Sequence, residues 1–164
     1  MENHIKGEIG IQIITVLLKN LCVISDAETD ENQINESTSK ALETIFDNGS
    51  VEFKELVLNF VSNTIDQNDW RMRQASIKAF SLLLYGLPKK DCISLVENSI
   101  EKFLGLLSDN SIIVKTSTIQ SLVIITEICG GCIMKRPHFL QYLELILSFL
   151  NKSETFFKET CKIL

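Results

Sequence analysis

Asp66-Gln-Asn-Asp-Trp-Arg-Met-Arg73 is the stretch that decides the fold, because its pattern returns twice. Ser108-Asp-Asn-Ser-Ile-Ile-Val-Lys115 carries the same polar turn and basic residue, and Asn151-Lys-Ser-Glu-Thr-Phe-Phe-Lys158 carries them again. Arg73 and Lys115 lie 42 positions apart, and Lys115 and Lys158 lie 43 apart. Gly86 and Gly130, each after a helical run, are separated by 44. In every copy an amphipathic stretch ends, a short polar turn follows, and a second helical stretch opens with a basic residue in about its first turn. A period in the low forties with two helices per unit describes helix pairs stacked in series.

The flanking sequence fills in the pairs. Phe53, Leu56, Val57, Phe60, Val61 and Ile65 form one apolar stripe, and Ile93, Val96, Ile100, Phe103, Leu104 and Leu107 form another. Phe139, Tyr142, Leu143, Ile146, Leu147 and Leu150 form a third. Each follows the i, i+3, i+4, i+7 spacing that puts apolar side chains on one helix face. Between the stripes, residues 69–85 and 111–129 are apolar on several sides, as expected of helices with neighbours on more than one side. Asn68 and Asp69, Asn110 and Ser111, and Ser153 stand where helix N-caps belong. Gly86 and Gly130 stand where a left-handed residue closes a helix, and Pro137 suits a first turn. The expected fold is all-α, an α-α superhelix of the HEAT or armadillo kind over residues 1–164. Its helix pairs are expected near 8–48, 51–86, 89–130 and 137–164, with the last truncated. The second, inner helices are expected at about 34–48, 69–86, 111–130 and 153–164. Neither end has the polar cap a solenoid needs, so the chain reads as an excerpt from a longer one.

Composition narrows the function. Of 164 residues, 45% are hydrophobic and 23% charged, enough to bury a core and too apolar for wholesale disorder. The net charge is −5 and Lys and Arg form no cluster, which argues against nucleic acid and anionic membrane as partners. The longest uncharged apolar stretch, Ile9 to Leu18, is about half of the roughly 20 residues a bilayer span needs, so no membrane insertion is expected. Met1-Glu-Asn-His4 lacks the basic start of a signal peptide. Five cysteines without regular spacing suit a reducing compartment, and the reading is of a soluble intracellular chain. Cys129-Gly-Gly-Cys132 follows a helical run, without the preceding strand of a redox motif or the two further ligands of a zinc site, and reads as structural. With only His4 and His138, and no phosphate loop or nucleophile elbow, the chain is expected to be neither an enzyme nor a cofactor carrier.

Asn68-Asp-Trp-Arg-Met-Arg-Gln-Ala-Ser-Ile-Lys-Ala-Phe80 resembles importin-β, the karyopherin-β nuclear transport receptor, and the similarity continues through Leu106 to Lys115 and Ile124 to Cys129. In that family a Trp-Arg-x-Arg-x-Ala stretch opens the second helix of a mid-array repeat. The resemblance makes Trp70, Arg73, Lys115 and Lys158 structural residues of the repeat turns, the basic side chain bracing the turn of an adjacent repeat. Ser25 to Glu36 adds a second point of similarity: it holds Asp26, Glu28, Asp30, Glu31 and Glu36 and no Lys or Arg. It reads as a loop between the helices of the first pair, where importin-β carries an acidic loop. The resemblance implies that these carboxylates face cationic partners, namely an importin-α-type adaptor or basic cargo and the GTPase Ran. It implies phenylalanine-glycine nucleoporins on outer helices 51–66 and 89–108, and a monomer cycling between cytoplasm and nucleus. Two inner-face positions that carry tryptophan in the family are Gln120 and Ile163 here, a departure that bears on cargo binding. A HEAT scaffold for another kind of complex is the competing expectation, and it need share neither the acidic stretch nor the Trp70–Phe80 match.

Overall fold

The computed structural model of the chain describes residues 2–23, 30–49, 53–134 and 144. Among these, all regular structure is helical: α1 (Glu2–Asn20), α2 (Asp30–Gly49), α3 (Lys54–Thr64), α4 (Trp70–Gly86), α5 (Lys89–Leu106) and α6 (Ile112–Met134). The chain divides into two units, Met1–Leu87 with α1 to α4 and Pro88–Leu164 with α5 and α6. The expected helices at 137–151 and 153–164, with Pro137, Ser153, Lys158 and Ile163, lie outside the described residues.

In the first unit α4 packs against both α2 and α3, and α1 packs against α2 and α3. Ile14, Leu18 and Leu21 come from α1 and its end, Leu42 and Phe46 from α2, and Val57, Val61 and Ile65 from α3 and its end. Ala75, Ile77, Ala79, Phe80, Leu83 and Leu84 of α4 complete this core. Each large apolar side chain so buried contributes about 1.5–3 kcal/mol. The spacing of Val57, Val61 and Ile65 is the inner edge of the stripe expected in α3, whose Phe53, Leu56 and Phe60 remain half-buried. A Cβ on Gly10 would stand 3.0 Å from the Phe53 ring, so α1 comes this close to Phe53 because residue 10 has no side chain.

In the second unit α5 turns Cys92, Val96, Ile100, Phe103 and Leu106 inward, and α5 packs against α6. α6 buries Val114, Ser117, Thr118, Ile119, Ser121, Leu122, Val123, Ile125 and Cys129. The hydroxyl of Thr118 donates to the Val114 carbonyl at 2.8 Å, which lets a polar side chain sit in the interior without an unmet bond.

Four details differ from the expectations. α2 begins at Asp30, four residues earlier than apolar spacing places it, because carboxylates suit a first helical turn even without apolar periodicity. No described glycine has a positive φ, so neither Gly86 nor Gly130 is a left-handed stop. α4 ends instead because Leu87 is extended (φ −94°, ψ 148°), the conformation that the following Pro88 favours. α6 runs on through Gly130 to Met134, with a kink at Cys129 (φ −131°, ψ 24°). Finally, Ile112–Gly130 is long and apolar enough to match a membrane span, with mean hydropathy 1.5, although no such stretch was expected. Lys115 and Glu127 near its ends hide that length in the sequence, and half of it is buried within the protein as a core helix would be.

Candidate protein-binding site

Two local features organise the polar surface of the first unit. The first is the start of α4. Asp69 precedes the helix in extended conformation (φ −72°, ψ 119°), and its Oδ1 accepts from the Arg71 N–H at 3.0 Å. That is the N-cap expected at Asn68 or Asp69. Arg73 Nη1 donates to the carbonyls of Gln67 (2.7 Å) and Asn68 (2.8 Å). These bonds tie Arg73 to the turn of its own helix pair, where the family pattern had suggested an adjacent repeat. Trp70 is half-buried at the first position of α4, and the Arg71 guanidinium lies over its ring at 5.1 Å. The turn before α6 is closed by Asp109, whose Oδ1 accepts from the Ser111 N–H at 2.8 Å, while the Ser111 carbonyl accepts from Lys115 N–H at 3.2 Å. Lys115 is half-buried in the first turn of α6, and Gln120 is exposed further along it.

The second feature is α2. Asp30 and Glu31 belong to its first turn and Glu36 follows on the same helix, so the acidic stretch from Asp30 onward is helix and not loop. Asp26 and Glu28 lie outside the described residues. Glu36 Oε1 accepts from Lys40 Nζ at 2.8 Å, with side chains 71% and 72% exposed. The Lys40 hydrogen bond holds the Glu36 carboxyl below the usual carboxylate range and pushes the Lys40 ammonium up. A cationic partner reaching Glu36 therefore displaces an internal lysine, which the helix brings to the carboxylate as an i, i+4 pair.

Beside Glu36, Asn35 turns the other way and is 3% exposed. Its Nδ2 donates to the Leu21 carbonyl at 2.7 Å, satisfying one of the carbonyls left open at the end of α1. Its Oδ1 accepts from Lys78 Nζ at 2.6 Å, across 43 residues of sequence. Burial pushes the Lys78 ammonium below the ordinary lysine value, and the nearby Glu36 charge acts in the opposite direction. Sequence reading missed both residues. An Asn and a Lys on different helices give no spacing signal.

Among the described residues no group of three or more His, Cys, Asp or Glu is placed to hold a metal. Cys22, Cys92 and Cys129 are not joined in disulfides, and burial, with the Asp69 charge second, pushes the half-buried Cys22 thiol up.

Paired helices joined by braced polar turns, with charge carried on helix faces, define an α-helical repeat protein of the HEAT superhelix class. Within that class the chain is similar to importin-β, the family its Trp70–Phe80 stretch resembles. It is 30% identical over 93 residues to importin subunit beta-1 of Saccharomyces cerevisiae, covering 57% of this chain and 11% of that protein. It is 26% identical over 150 residues to importin subunit beta-1 of Schizosaccharomyces pombe, covering 91% and 17%. No family model matches the chain. Among solved structures it superimposes with a TM-score of 0.86 on Kap95p, whose binding induces the switch loops of RanGDP to adopt the GTP-bound conformation (22% identity, 96% of this chain and 18% of that one). It superimposes on Kap95 from the Kap95:Nup1 complex at 0.82 (24% identity, 90% and 17%), and on yeast importin-beta, Kap95p, at 0.81 (23% identity, 90% and 17%). These likenesses show the fold. The chain spans less than a fifth of the length of the proteins it matches.

Proposed function

We propose that this chain is a segment of a nuclear transport receptor that binds by surface complementarity and catalyses nothing. The observation that carries the reading is 26% identity to importin subunit beta-1 along 150 residues, nearly the whole chain. Its acidic stretch, Asp26, Glu28, Asp30, Glu31 and Glu36, takes a cationic partner: the basic helix of an importin-α-type adaptor, or basic cargo. Ran and nucleoporins are proposed as further partners because the superimposed Kap95 structures concern RanGDP and Nup1. On the outer helices Phe53 and Phe60 are half-buried whereas Phe103 is fully buried, so α3 rather than α5 keeps aromatic surface for a phenylalanine-glycine peptide. The proposed working places are the cytoplasm and nucleus, with passage through the nuclear pore. Gln120, exposed where the family carries tryptophan, replaces an aromatic stacking surface with a hydrogen-bonding one, and the second such position in the sequence is Ile163.

Mechanistically, a run of carboxylates acts through its summed field and not through one pair. Such a field is screened over about 8 Å at physiological salt, so affinity and association rate both fall as salt rises. The test is fluorescence anisotropy of a labelled basic helical peptide with the chain at low and physiological salt. Binding at low salt that weakens with added salt supports the proposal, and no binding at low salt refutes it. Reversing Asp26, Glu28, Asp30 and Glu31 to Lys should then weaken binding by more than about tenfold. Unchanged binding would make the acidic stretch a linker.

A further inference from the structure

The hydrogen bonds through Asn35 run in one direction, from the Lys78 ammonium to the Asn35 carboxamide to the Leu21 carbonyl, at 2.6 and 2.7 Å. They join α4, α2 and the end of α1, three elements of two successive helix pairs. On the other side of α4, the Ser76 hydroxyl meets the Thr64 hydroxyl of α3 at 2.6 Å. α4 is therefore fastened by polar contacts both to its own partner helix and to the helix pair before it.

This matters because most of the joint is apolar. Leu42 and Phe46 of α2 and Ala75 and Ala79 of α4 are buried, and α2 packs against α4; apolar contacts are non-directional, and helices that touch through them can slide or rotate slightly while remaining in contact. In stacked helix pairs such small rotations are the usual source of flexibility. A buried hydrogen-bond chain does not slide. Moving α2 against α4 leaves Asn35, which is 3% exposed, with an unmet acceptor and its donor misaligned on Leu21. Among the described residues Glu36, next to Asn35 on α2, is the carboxylate whose charge acts on Lys78, and it favours the charged ammonium.

We propose that Lys78, Asn35 and the Leu21 carbonyl form a pin that locks the angle between the first and second helix pairs, making this joint stiffer than its apolar contacts alone would. The pin stands whatever partner the acidic stretch takes. It is a conformational device: one joint is held while motion is left to others.

The test is hydrogen exchange followed by NMR on the full chain. In the wild type the Asn35 side-chain amide should exchange at least about tenfold more slowly than those of exposed Asn63 and Asn98. Equal rates would overturn the proposal without any variant. K78M and N35L should each speed backbone exchange in the Asn35–Leu42 part of α2 by about tenfold, and K78M/N35L should speed it no more than either alone, because each change breaks the same chain. Exchange unchanged in K78M, or single effects that multiply in the double variant, would show independent contacts and no pin.

Discussion

α2 and α6 are the two longest helices of the described chain, with 20 and 23 residues, and they use that length in opposite ways. α2 buries a single stripe, Asn35, Thr38, Leu42 and Phe46, and leaves Glu36, Lys40, Glu43 and Asp47 in solvent. α6 buries nearly every residue from Ser117 to Val123 apart from Gln120. A helix with one buried stripe keeps a face free to carry charge; a helix packed on most sides keeps almost none. Exposed charge therefore concentrates on α2, while α6 holds the second unit together.

The sharpest way to break this contrast is to empty the two cores. Phe46→Ala should cost about 3–5 kcal/mol and Leu122→Ala about 2–5 kcal/mol in urea unfolding, through lost burial and the cavity left behind. A loss below about 1 kcal/mol for Phe46→Ala would mean that α2 has no core stripe. Inserted charge sharpens the difference further. Ser37→Lys on the exposed face of α2 should stay within about 0.5 kcal/mol of wild type, whereas Thr118→Lys, at a fully buried site in α6, should cost more than about 3 kcal/mol or abolish folding. Similar tolerance at both sites would erase the distinction.

Smaller effects probe the polar contacts. Asp69→Ala removes the N-cap of α4 and should lower stability by about 1 kcal/mol, read from the shift in the unfolding midpoint. Lys78 should leave a signature at high pH. Its folded pKa lies below the unfolded value near 10.5, so between the two the unfolded chain binds more protons and stability rises with pH. The wild type should thus gain on K78M as pH rises toward about 10.5, and parallel profiles would mean a solvated lysine. The smallest effect belongs to the exposed Glu36–Lys40 pair. Glu36→Gln should leave the unfolding midpoint unchanged, while the Lys40 pKa read by NMR drops back toward 10.5.

Sequence made some of this visible and some not. The helices α3 to α5 were legible because their apolar residues recur every three or four positions, and the start of α4 because Asp69 is a strong cap. α2 was placed late because residues 25–33 carry charge without apolar spacing, yet Asp30 and Glu31 are at home in a first turn. The ends were harder. Gly86 suggested a left-handed stop, but Pro88 had already forced Leu87 extended, so nothing remained for a glycine to do. Gly130-Gly131 suggested an end, but helical pairing resumed after the kink at Cys129. Of the candidate site, carboxylate identity was readable and carboxylate surroundings were not: the Lys40 competitor requires knowing that Glu36 is already helical.

By itself the order of residues determined that this chain forms helices in pairs about forty residues apart, because apolar periodicity and cap chemistry act over a few neighbouring positions. Only tertiary structure decided that Lys78 would meet Asn35 and Asn35 the end of α1, which faces of α2 and α6 would be covered, and how close Phe53 comes to Gly10. Those outcomes depend on packing between helices that are distant in sequence, and a hydrogen bond or a close approach exists only once that packing has set the distance.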